Sequence, residues 1–244
     1  MLPDAYPDCV AVPLTFLTPD PRLRREAIDA RRSLLARALR GPAGRAFVRA
    51  DMAGMRLIRS TARSRRATRA IVVFSRSGEH GAFWLATGAA GLAIDRDRRE
   101  QWVVGLAAVG TAYLANSAIK QFARRPRPQL RDLPPLIPTP TQLSFPSSHS
   151  ASSFAAATAY AGLLPRGPLL ATAGAMALSR VHLGVHYPTD IAVGAALGCV
   201  VGGAVRDVGD RVIARRAAAR APQSFPAPPA GADADPSDPE GPTR

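Results

Sequence analysis

The sequence has few of the residues that mark a disulfide-linked fold or a cysteine-based metal site. Its 244 residues include only two cysteines, Cys9 and Cys199, which lie far apart in the chain. Two isolated cysteines provide neither a disulfide framework nor metal-ligand spacing, so we interpret them as free thiols. Residues 1–19 also lack a basic segment followed by an apolar core, and we therefore predict no signal peptide.

Aromatic residues are scarce too, and their scarcity bears on the strong positive charge. The formal net charge is +14, whereas Phe, Trp and Tyr make up 6% of the chain. Clustered cations neutralise phosphates, so nucleic acid is the usual partner of so basic a protein. Here the arginines are not interleaved with aromatics, and they concentrate in residues 22–76 and 206–220, which flank apolar segments. This distribution favours contact with anionic lipid, and we predict no nucleic-acid partner.

Long hydrophobic runs are almost absent, since only residues 102–119 approach the roughly 20 residues that a spanning helix needs. Shorter apolar stretches nevertheless follow one another, with most of the charge in the loops between them. They are residues 81–94, 102–119, 150–164, 169–178 and 191–205. Their glycine, alanine and serine content suits close helix packing in lipid. The pattern predicts an all-α integral-membrane helical bundle with about five spanning helices, hence a multi-pass protein of the cell membrane.

Three regions differ in composition. Residues 1–45 form a polar, Arg/Pro-rich N-terminal extension, and residues 46–205 form the membrane-embedded domain. Within that domain, residues 46–76 mix apolar positions with arginines, which predicts an interfacial N-terminal helix. Residues 206–244 turn to arginine, proline, alanine and aspartate, and we predict a disordered C-terminal tail because they have too little apolar surface to fold.

Lysine occurs once among the 32 basic residues, and Lys120 opens the first of three ordered blocks of polar residues. The three blocks have fixed internal spacing and lie at the ends of the apolar stretches. They read Lys120-x6-Arg127-Pro128, then Pro146-Ser147-Ser148-His149, then Ser179-Arg180-x5-His186-x3-Asp190. Because successive helices alternate in direction, we expect these ends to meet at one membrane face, where ionisable groups are costly unless they serve a function.

The residue types in these blocks suit phosphate chemistry. Lys120, Arg127 and Arg180 supply cations that stabilise the charge on transferring phosphate oxygens, and the backbone amides of residues 147–149 add donors at a helix start. We expect the Ser147 hydroxyl to contribute as well. A carboxylate four residues after a histidine lies one helical turn away, so Asp190 can orient the His186 ring. That leaves His149 to protonate the departing oxygen.

The blocks resemble the signature of the type 2 phosphatidic acid phosphatase family, which is related to vanadium haloperoxidases and glucose-6-phosphatase. The family has glycine where this chain has Ser148, which keeps a backbone N–H but brings a side chain close to phosphate. The resemblance implies a phosphohistidine on His186, oriented by Asp190, with His149 as acid and then base. Lys120, Arg127, Ser147, Ser148 and Arg180 would bind the phosphate, and the resemblance implies neither a metal nor another cofactor.

Flanking residues also resemble an actinobacterial subgroup associated with removing phosphate from decaprenylphosphoryl-5-phosphoribose, an arabinan precursor lipid. The similar stretches are residues 75–81 and 139–145. A membrane lipid phosphatase acting on a polyprenyl-linked substrate is the function that this predicts. A polyprenyl diphosphate or a phosphatidic acid or phosphatidylglycerophosphate substrate stays an alternative. A vanadate-dependent haloperoxidase and a non-catalytic lipid-binding protein are alternatives of other classes.

Several further points stay open at this level. The positive-inside rule favours a cytoplasmic active site, whereas many members of the family have an extra first helix and face outward. The sequence does not define the oligomeric state. We interpret Arg124 and Arg125 as solvated charge beside the membrane and His182 as a loop or structural residue, and His80 can either cap a helix or line the site.

Overall fold

The computed structural model describes residues 41–60, 64–130 and 132–220, which form helices joined by loops, the longest of them between residues 123 and 148. In chain order the α-helices are α1 (Pro42–Ser60), α2 (Arg65–Ser77), α3 (Ala82–Ile94), α4 (Arg99–Ala123), α5 (Ser148–Ala159), α6 (Arg166–His182) and α7 (Pro188–Arg220), with a 3₁₀ turn at Glu79–Gly81. The described residues include isolated β-bridges but no strand. The predicted all-α class is confirmed, and most of the predicted extension, residues 1–40, lies outside the described residues.

Helix α5 is the centre of the bundle and packs against α4, α6 and α7. It is 12 residues long and is built almost wholly from alanine and serine, most of them buried. Its contact with α7 runs along three glycines spaced one turn apart. A Cβ added at Gly194 would lie 2.6 Å from the Ser147 carbonyl oxygen, and one at Gly198 would lie 2.4 Å from the Ala151 carbonyl oxygen. The two backbones therefore touch, which brings the first turn of α7 beside the first turn of α5.

Two of the described helices are long and apolar enough to cross a membrane. Helix α4 has 25 residues with a mean hydropathy of 1.4 in its most apolar window, and α7 has 33 residues with a mean hydropathy of 1.6. Only 33% and 17% of these windows are buried in the protein, so their apolar residues face outward, as lipid-facing residues do. The prediction of five spanning helices is not confirmed. Helices α3, α5 and α6 have 13, 12 and 17 residues, which at about 1.5 Å per residue are shorter than the bilayer core.

Helix α7 extends beyond the predicted boundary at residue 205 and ends at Arg220. Residues 206–220, which the sequence assigned to a disordered tail, are helical here, whereas residues 221–244 lie outside the described residues. An Arg206–Asp210 ion pair of 3.6 Å, one turn apart, supports the extension. The run of alanine and arginine that follows has high helix propensity. This propensity explains why the segment is helical although it has little apolar surface.

The predicted interfacial helix at residues 46–76 is replaced by two helices, α1 and α2. Helix α1 exposes Phe47 and Leu57, which fits an interfacial position, but it is also docked onto the loops beside α5 and α7. Met55 is fully buried, and Arg56 forms a 2.5 Å ion pair with Asp132 in the loop before α5. Helix α1 is therefore part of the same end of the molecule as the three sequence blocks.

Candidate active site

The three sequence blocks converge at one end of the bundle. Lys120 lies in the last turn of α4, His149 in the first turn of α5, Arg180 in the last turn of α6 and Asp190 in the first turn of α7. Electrostatic interactions connect Lys120 with Arg127, Arg180 and Asp190. These helix ends therefore lie close together, as expected for helices that alternate in direction. The segment between α2 and α3 forms a further side of the site.

Lys120 and Ser148 form one side of the site. The Lys120 ammonium donates to Ser148 Oγ over 3.3 Å, and the buried Asn116 amide donates to the same oxygen over 2.7 Å. A hydroxyl has two acceptor lone pairs and one proton, so Ser148 Oγ with both lone pairs engaged can still donate its proton. Serine in place of the glycine of the family thus adds a hydrogen-bond donor next to Lys120.

Arg127 lies on the loop after α4 and is held by two backbone carbonyls. Its Nε donates to the Thr141 carbonyl over 2.7 Å, and one terminal nitrogen donates to the Val185 carbonyl over 2.7 Å. The same terminal nitrogen is 3.3 Å from His186 Nε2. A guanidinium anchored in this way is fixed in orientation before any phosphate arrives.

Ser75, at the end of α2, connects the second and third sequence blocks. Its hydroxyl accepts from Arg180 over 2.8 Å, and its backbone carbonyl lies 3.1 Å from His149 Nε2. A carbonyl only accepts, so Nε2 of His149 carries a proton, and Nδ1 is the nitrogen that can exchange a proton with a substrate. Both Arg180 and His149 are buried, so this arrangement is shielded from bulk water.

His186 and Asp190 form a pair on the loop before α7 and on its first turn. Arg127 can only donate, so His186 Nε2 must accept, and the proton of the neutral ring lies on Nδ1. Nδ1 faces Asp190 Oδ2 at 3.5 Å, which is longer than a normal hydrogen bond. The unprotonated Nε2 therefore faces the cations while the carboxylate lies behind the ring, as a nucleophilic nitrogen requires.

Burial controls the charge of His186. The imidazole is 2% exposed, and this burial lowers the pKa of His186 to about 4, with further lowering from the positive charges of Arg127 and Arg180. Asp190 acts in the opposite direction but is the weaker influence. Burial also lowers the pKa of Arg127 to about 10, so this side chain is still charged at neutral pH. The ring is consequently neutral over the physiological range, with the lone pair of Nε2 directed at Arg127.

Known proteins are similar to this chain in sequence. Residues 101–212, which contain all three blocks, match the PAP2 superfamily. The decaprenylphosphoryl-5-phosphoribose phosphatase of Mycobacterium tuberculosis is 45% identical over 138 residues, which are 55% of this chain and 76% of that protein. The protein of the same name from Mycolicibacterium smegmatis is 43% identical over 122 residues, 49% of this chain and 67% of that protein. The chain belongs to the PAP2 superfamily.

Two solved structures share its fold, and one of them is described as a PAP2-type phosphatase. A phosphatidylglycerolphosphate phosphatase from Bacillus subtilis has a TM-score of 0.58 at 23% identity and covers 76% of this chain and 96% of its own. Aquifex aeolicus LpxE has a TM-score of 0.54, also at 23% identity, and covers 64% of this chain and 94% of its own. As a PAP2 protein with relatives named as phosphatases, the chain is a phosphatase, and it is a membrane protein.

One sequence interpretation is wrong for this PAP2 chain, namely that Arg125 is solvated charge. Arg124 is exposed, and its left-handed backbone (φ 47°) ends α4 and turns the chain. The next side chain then points inward, where Arg125 donates to Asp190 Oδ1 over 2.8 Å and to Asp51 Oδ2 over 2.7 Å. Neighbouring arginines on a tight turn face opposite ways, which composition does not reveal.

The contacts of three other residues, Ser147, His182 and His80, can be compared with the roles expected from the sequence. Ser147 caps α5 by accepting from Ser150 N, and its own N–H donates to the Asp190 carbonyl, so its contact with phosphate stays a prediction. His182 is buried with Nδ1 3.5 Å from the Ile58 carbonyl, in line with a structural role. His80 is exposed, adopts φ 55° and lies beside Tyr113, so it does not cap α3 through its side chain.

Sequence reasoning missed four residues that support the site. They are Asp51, Ser75, Asn116 and Arg125. Ser75 lies in the stretch that resembles the phosphoribose subgroup, and Asn116 precedes Lys120 by one helical turn, so both carried a signal. Asp51 is separated from the nearest block by more than 60 residues, and no local pattern connects it with Asp190.

The charge state of His186 leads to a prediction that can be measured directly. The chain has four histidines, so ¹⁵N-histidine labelling gives few signals, and the His186→Ala variant identifies those of His186. Because the pKa is lowered, we expect His186 to stay neutral, with the proton on Nδ1, down to about pH 5 and to titrate near pH 4. The Arg127→Gln variant removes a positive charge, so its midpoint should rise. A wild-type midpoint at or above 6.5 would contradict this account.

Proposed function

We propose that the protein is a metal-independent membrane lipid phosphatase that hydrolyses a phosphomonoester through a phosphohistidine on His186. The observation that carries the proposal is the placement of the His186 ring, whose Nε2 lies 3.3 Å from Arg127 while Nδ1 faces Asp190. A neutral, oriented imidazole next to fixed cations is the arrangement that nucleophilic attack on a phosphate dianion requires.

In the first step His186 Nε2 attacks phosphorus, the bond between phosphorus and nitrogen forms, and the bond to the lipid oxygen breaks. Asp190 stabilises the positive charge that develops on the ring through Nδ1–H. Lys120, Arg127 and Arg180 bind the equatorial oxygens, with Ser148 as an additional donor. Burial lowers the pKa of His149, and the bound phosphate dianion offsets this effect, so that the ring enters the step as an imidazolium with a proton on each nitrogen. His149 then transfers the Nδ1 proton to the departing oxygen, while Nε2–H continues to donate to the Ser75 carbonyl.

In the second step a water molecule attacks the phosphohistidine. His149 is by now neutral and accepts the water proton at Nδ1, so the same residue serves as acid and then as base. The bond between phosphorus and His186 Nε2 breaks, phosphate leaves, and both imidazoles return to their starting states. Each bond and proton is accounted for by two histidines and one water.

In this mechanism the cationic side chains stabilise the phosphate charge, as a metal ion does in many other phosphatases. Three fixed positive side chains neutralise the phosphate charge without a metal bridge. Within the described ranges, no three His, Cys, Asp or Glu side chains are grouped so that they could hold a metal ion. Activity is therefore expected to continue in the presence of a chelator.

We further propose that the substrate is a polyprenyl-linked sugar phosphate such as decaprenylphosphoryl-5-phosphoribose. The site lies at the end of helices whose apolar faces point outward, so a lipid-anchored substrate reaches it within the membrane plane. The relatives at 43–45% identity carry that substrate in their names, and the PAP2 match over residues 101–212 covers the blocks that form the site.

A substrate panel tests the proposal. The specificity constant kcat/KM is measured for decaprenylphosphoryl-5-phosphoribose, a polyprenyl diphosphate, phosphatidic acid and free ribose 5-phosphate. We expect the polyprenyl phosphoribose to exceed free ribose 5-phosphate by at least about 100-fold, because confinement to the membrane plane replaces a three-dimensional search. Equal hydrolysis of ribose 5-phosphate would overturn the lipid assignment, and a clear preference for phosphatidic acid or the diphosphate would overturn only the choice of lipid.

A further inference from the structure

We propose that Asp51 and Arg125 are positioning residues. They hold the Asp190 carboxylate in place, and Asp190 in turn orients the His186 ring for attack. The inference deepens the function proposed above and depends on the same site. Asp51 lies outside the three sequence blocks, and Arg125 is one of the unassigned positions within the first block. This role also gives the N-terminal helix α1 a part in catalysis rather than only a place at the membrane surface.

Arg125 connects two carboxylates through different nitrogens. One terminal nitrogen donates to Asp190 Oδ1 and to Thr189 Oγ1, both over 2.8 Å, and the other donates to Asp51 Oδ2 over 2.7 Å. The guanidinium also stacks on the Tyr187 ring, 3.9 Å from its centroid. A planar group held on both edges and one face has little freedom, so Asp190 Oδ1 is fixed as well.

Asp51 caps helix α7 from another helix. Its Oδ1 accepts the backbone N–H of Thr189 over 3.0 Å, and its Oδ2 accepts the Thr189 hydroxyl over 2.6 Å. Thr189 is the second residue of α7, where the N–H has no partner within the helix and the helix dipole favours a negative charge. Asp51 is 2% exposed, so this carboxylate is not a surface group that faces the helix by chance.

Helix α1 presents a continuous face to this end of α7. Phe47, one turn before Asp51, lies under Arg125 with 6.0 Å between the guanidinium carbon and the ring centroid. A Cβ on Gly54 would lie 3.1 Å from Pro188 Cγ, and Met55 is fully buried. The position of Asp51 is thereby set by the packing of α1 and not by a mobile side chain alone.

These contacts matter because the pair of His186 and Asp190 is poorly constrained by itself. The distance between Nδ1 and Oδ2 is 3.5 Å, and Oδ2 also accepts the Tyr187 backbone N–H over 2.9 Å. Rotation of the carboxylate would move Oδ2 away from the ring, and Arg125 on Oδ1 opposes that rotation. The orientation of the His186 ring thus depends on a chain of contacts that begins at Asp51 on α1 and passes through Arg125 and Asp190.

The test compares Arg125→Gln, Arg125→Lys and Asp51→Asn with the wild-type full-length protein in detergent micelles. The substrate is the lipid phosphate that the wild type hydrolyses fastest. We expect kcat to fall about 10- to 100-fold for Arg125→Gln and Asp51→Asn, as for other groups that orient a reacting residue, with KM changed less than about threefold. Lysine keeps the charge but cannot reach both carboxylates, so Arg125→Lys should recover only part of the loss.

Two controls separate positioning from stability. Arg56→Gln removes an exposed ion pair of the same helix, and we expect its kcat to equal that of the wild type. Thermal unfolding of every variant measures the folded fraction. Should Arg125→Gln not fold, Arg125→Lys and Asp51→Asn still decide the question, because Asp51→Asn is isosteric and keeps an acceptor for Thr189.

The ¹⁵N titration of His186 adds a readout that altered stability alone does not produce. Charged or titratable groups face His186 and Asp190 from every element around them, namely Lys120, Arg125, Arg127, His149, Arg180 and Tyr187, with Asp51 behind Arg125. Asp190 raises the pKa of His186, so a carboxylate that moves away from the ring should lower the His186 midpoint, whereas loss of the Arg125 charge alone should raise it. A lower midpoint in both Arg125→Gln and Asp51→Asn supports the proposal, and a higher midpoint in Arg125→Gln overturns the positioning role.

The outcomes distinguish this inference from the proposed function. Wild-type kcat in both Arg125→Gln and Asp51→Asn, with His186→Ala inactive, would overturn the positioning role and leave the phosphohistidine mechanism intact. Activity in His186→Ala would instead contradict the mechanism on which the inference depends. A loss of kcat that merely follows the folded fraction in each variant would show that the two residues act on stability alone.

Discussion

Replacing His186 with alanine is expected to lower phosphate release by at least about 1,000-fold, since removal of a nucleophile leaves only binding and electrostatic contributions. The side chain is 2% exposed, but it lies on the loop before α7 and not in the contact between α5 and α7. We therefore expect the variant to fold and to insert into membranes. Phosphate release from the preferred lipid, normalised to the folded protein, measures the effect.

The matched control is His182→Gln, at the last residue of α6 and four residues before His186. His182 is also buried, but its Nδ1 faces the Ile58 carbonyl and not the phosphate cations. Glutamine keeps a nitrogen donor, so we expect activity within about fivefold of the wild type, the loss being that of one weak hydrogen bond. Turnover of His186→Ala above about one per cent of the wild type would remove His186 as the nucleophile.

The sequence predicted the cluster well because its spacing reports local geometry. His186 and Asp190 are four residues apart, and the chain between them starts a helix, so this separation brings ring and carboxylate near each other without fixing their distance of 3.5 Å. Lys120 and Arg180 end their helices, and helix ends at one face of a bundle meet whatever the details of packing. Predictions of this kind need only the direction of each helix and the turn on which the residue lies.

The roles of Arg125 and Asp51 could not be predicted from the sequence, and the reason is physical. Whether Arg124 or Arg125 points inward depends on the left-handed backbone conformation of Arg124. The surrounding sequence does not predict that conformation. Asp51 reaches Thr189 only because α1 docks on the end of α7 through Phe47 and Met55, which is a tertiary contact. Helix lengths were misjudged for a related reason, since hydropathy marks the apolar part of α7 and not the alanine- and arginine-rich continuation to Arg220.

The role of His149 predicts different defects for substrates with different leaving groups. A lipid-linked sugar alkoxide needs a proton to depart, so His149→Ala should lower its hydrolysis by about 10²- to 10⁴-fold, the usual contribution of general acid catalysis. Nitrophenolate is stable without a proton, so the first step with nitrophenyl phosphate should stay fast in the variant. The second step still needs His149 as the base that activates water, and it should become slow.

Pre-steady-state kinetics of His149→Ala with nitrophenyl phosphate should therefore show a rapid release of about one nitrophenol per enzyme followed by slow turnover. Radiolabelled phosphate should then be trapped on His186, and the double variant with His186→Ala should give no burst. Equal losses for both substrates without a burst would deny His149 its role as the acid of the first step. Steady turnover at the wild-type rate would deny its role as the base, and the carbonyl of Ser75, which holds Nε2 at 3.1 Å, would then have only a structural function.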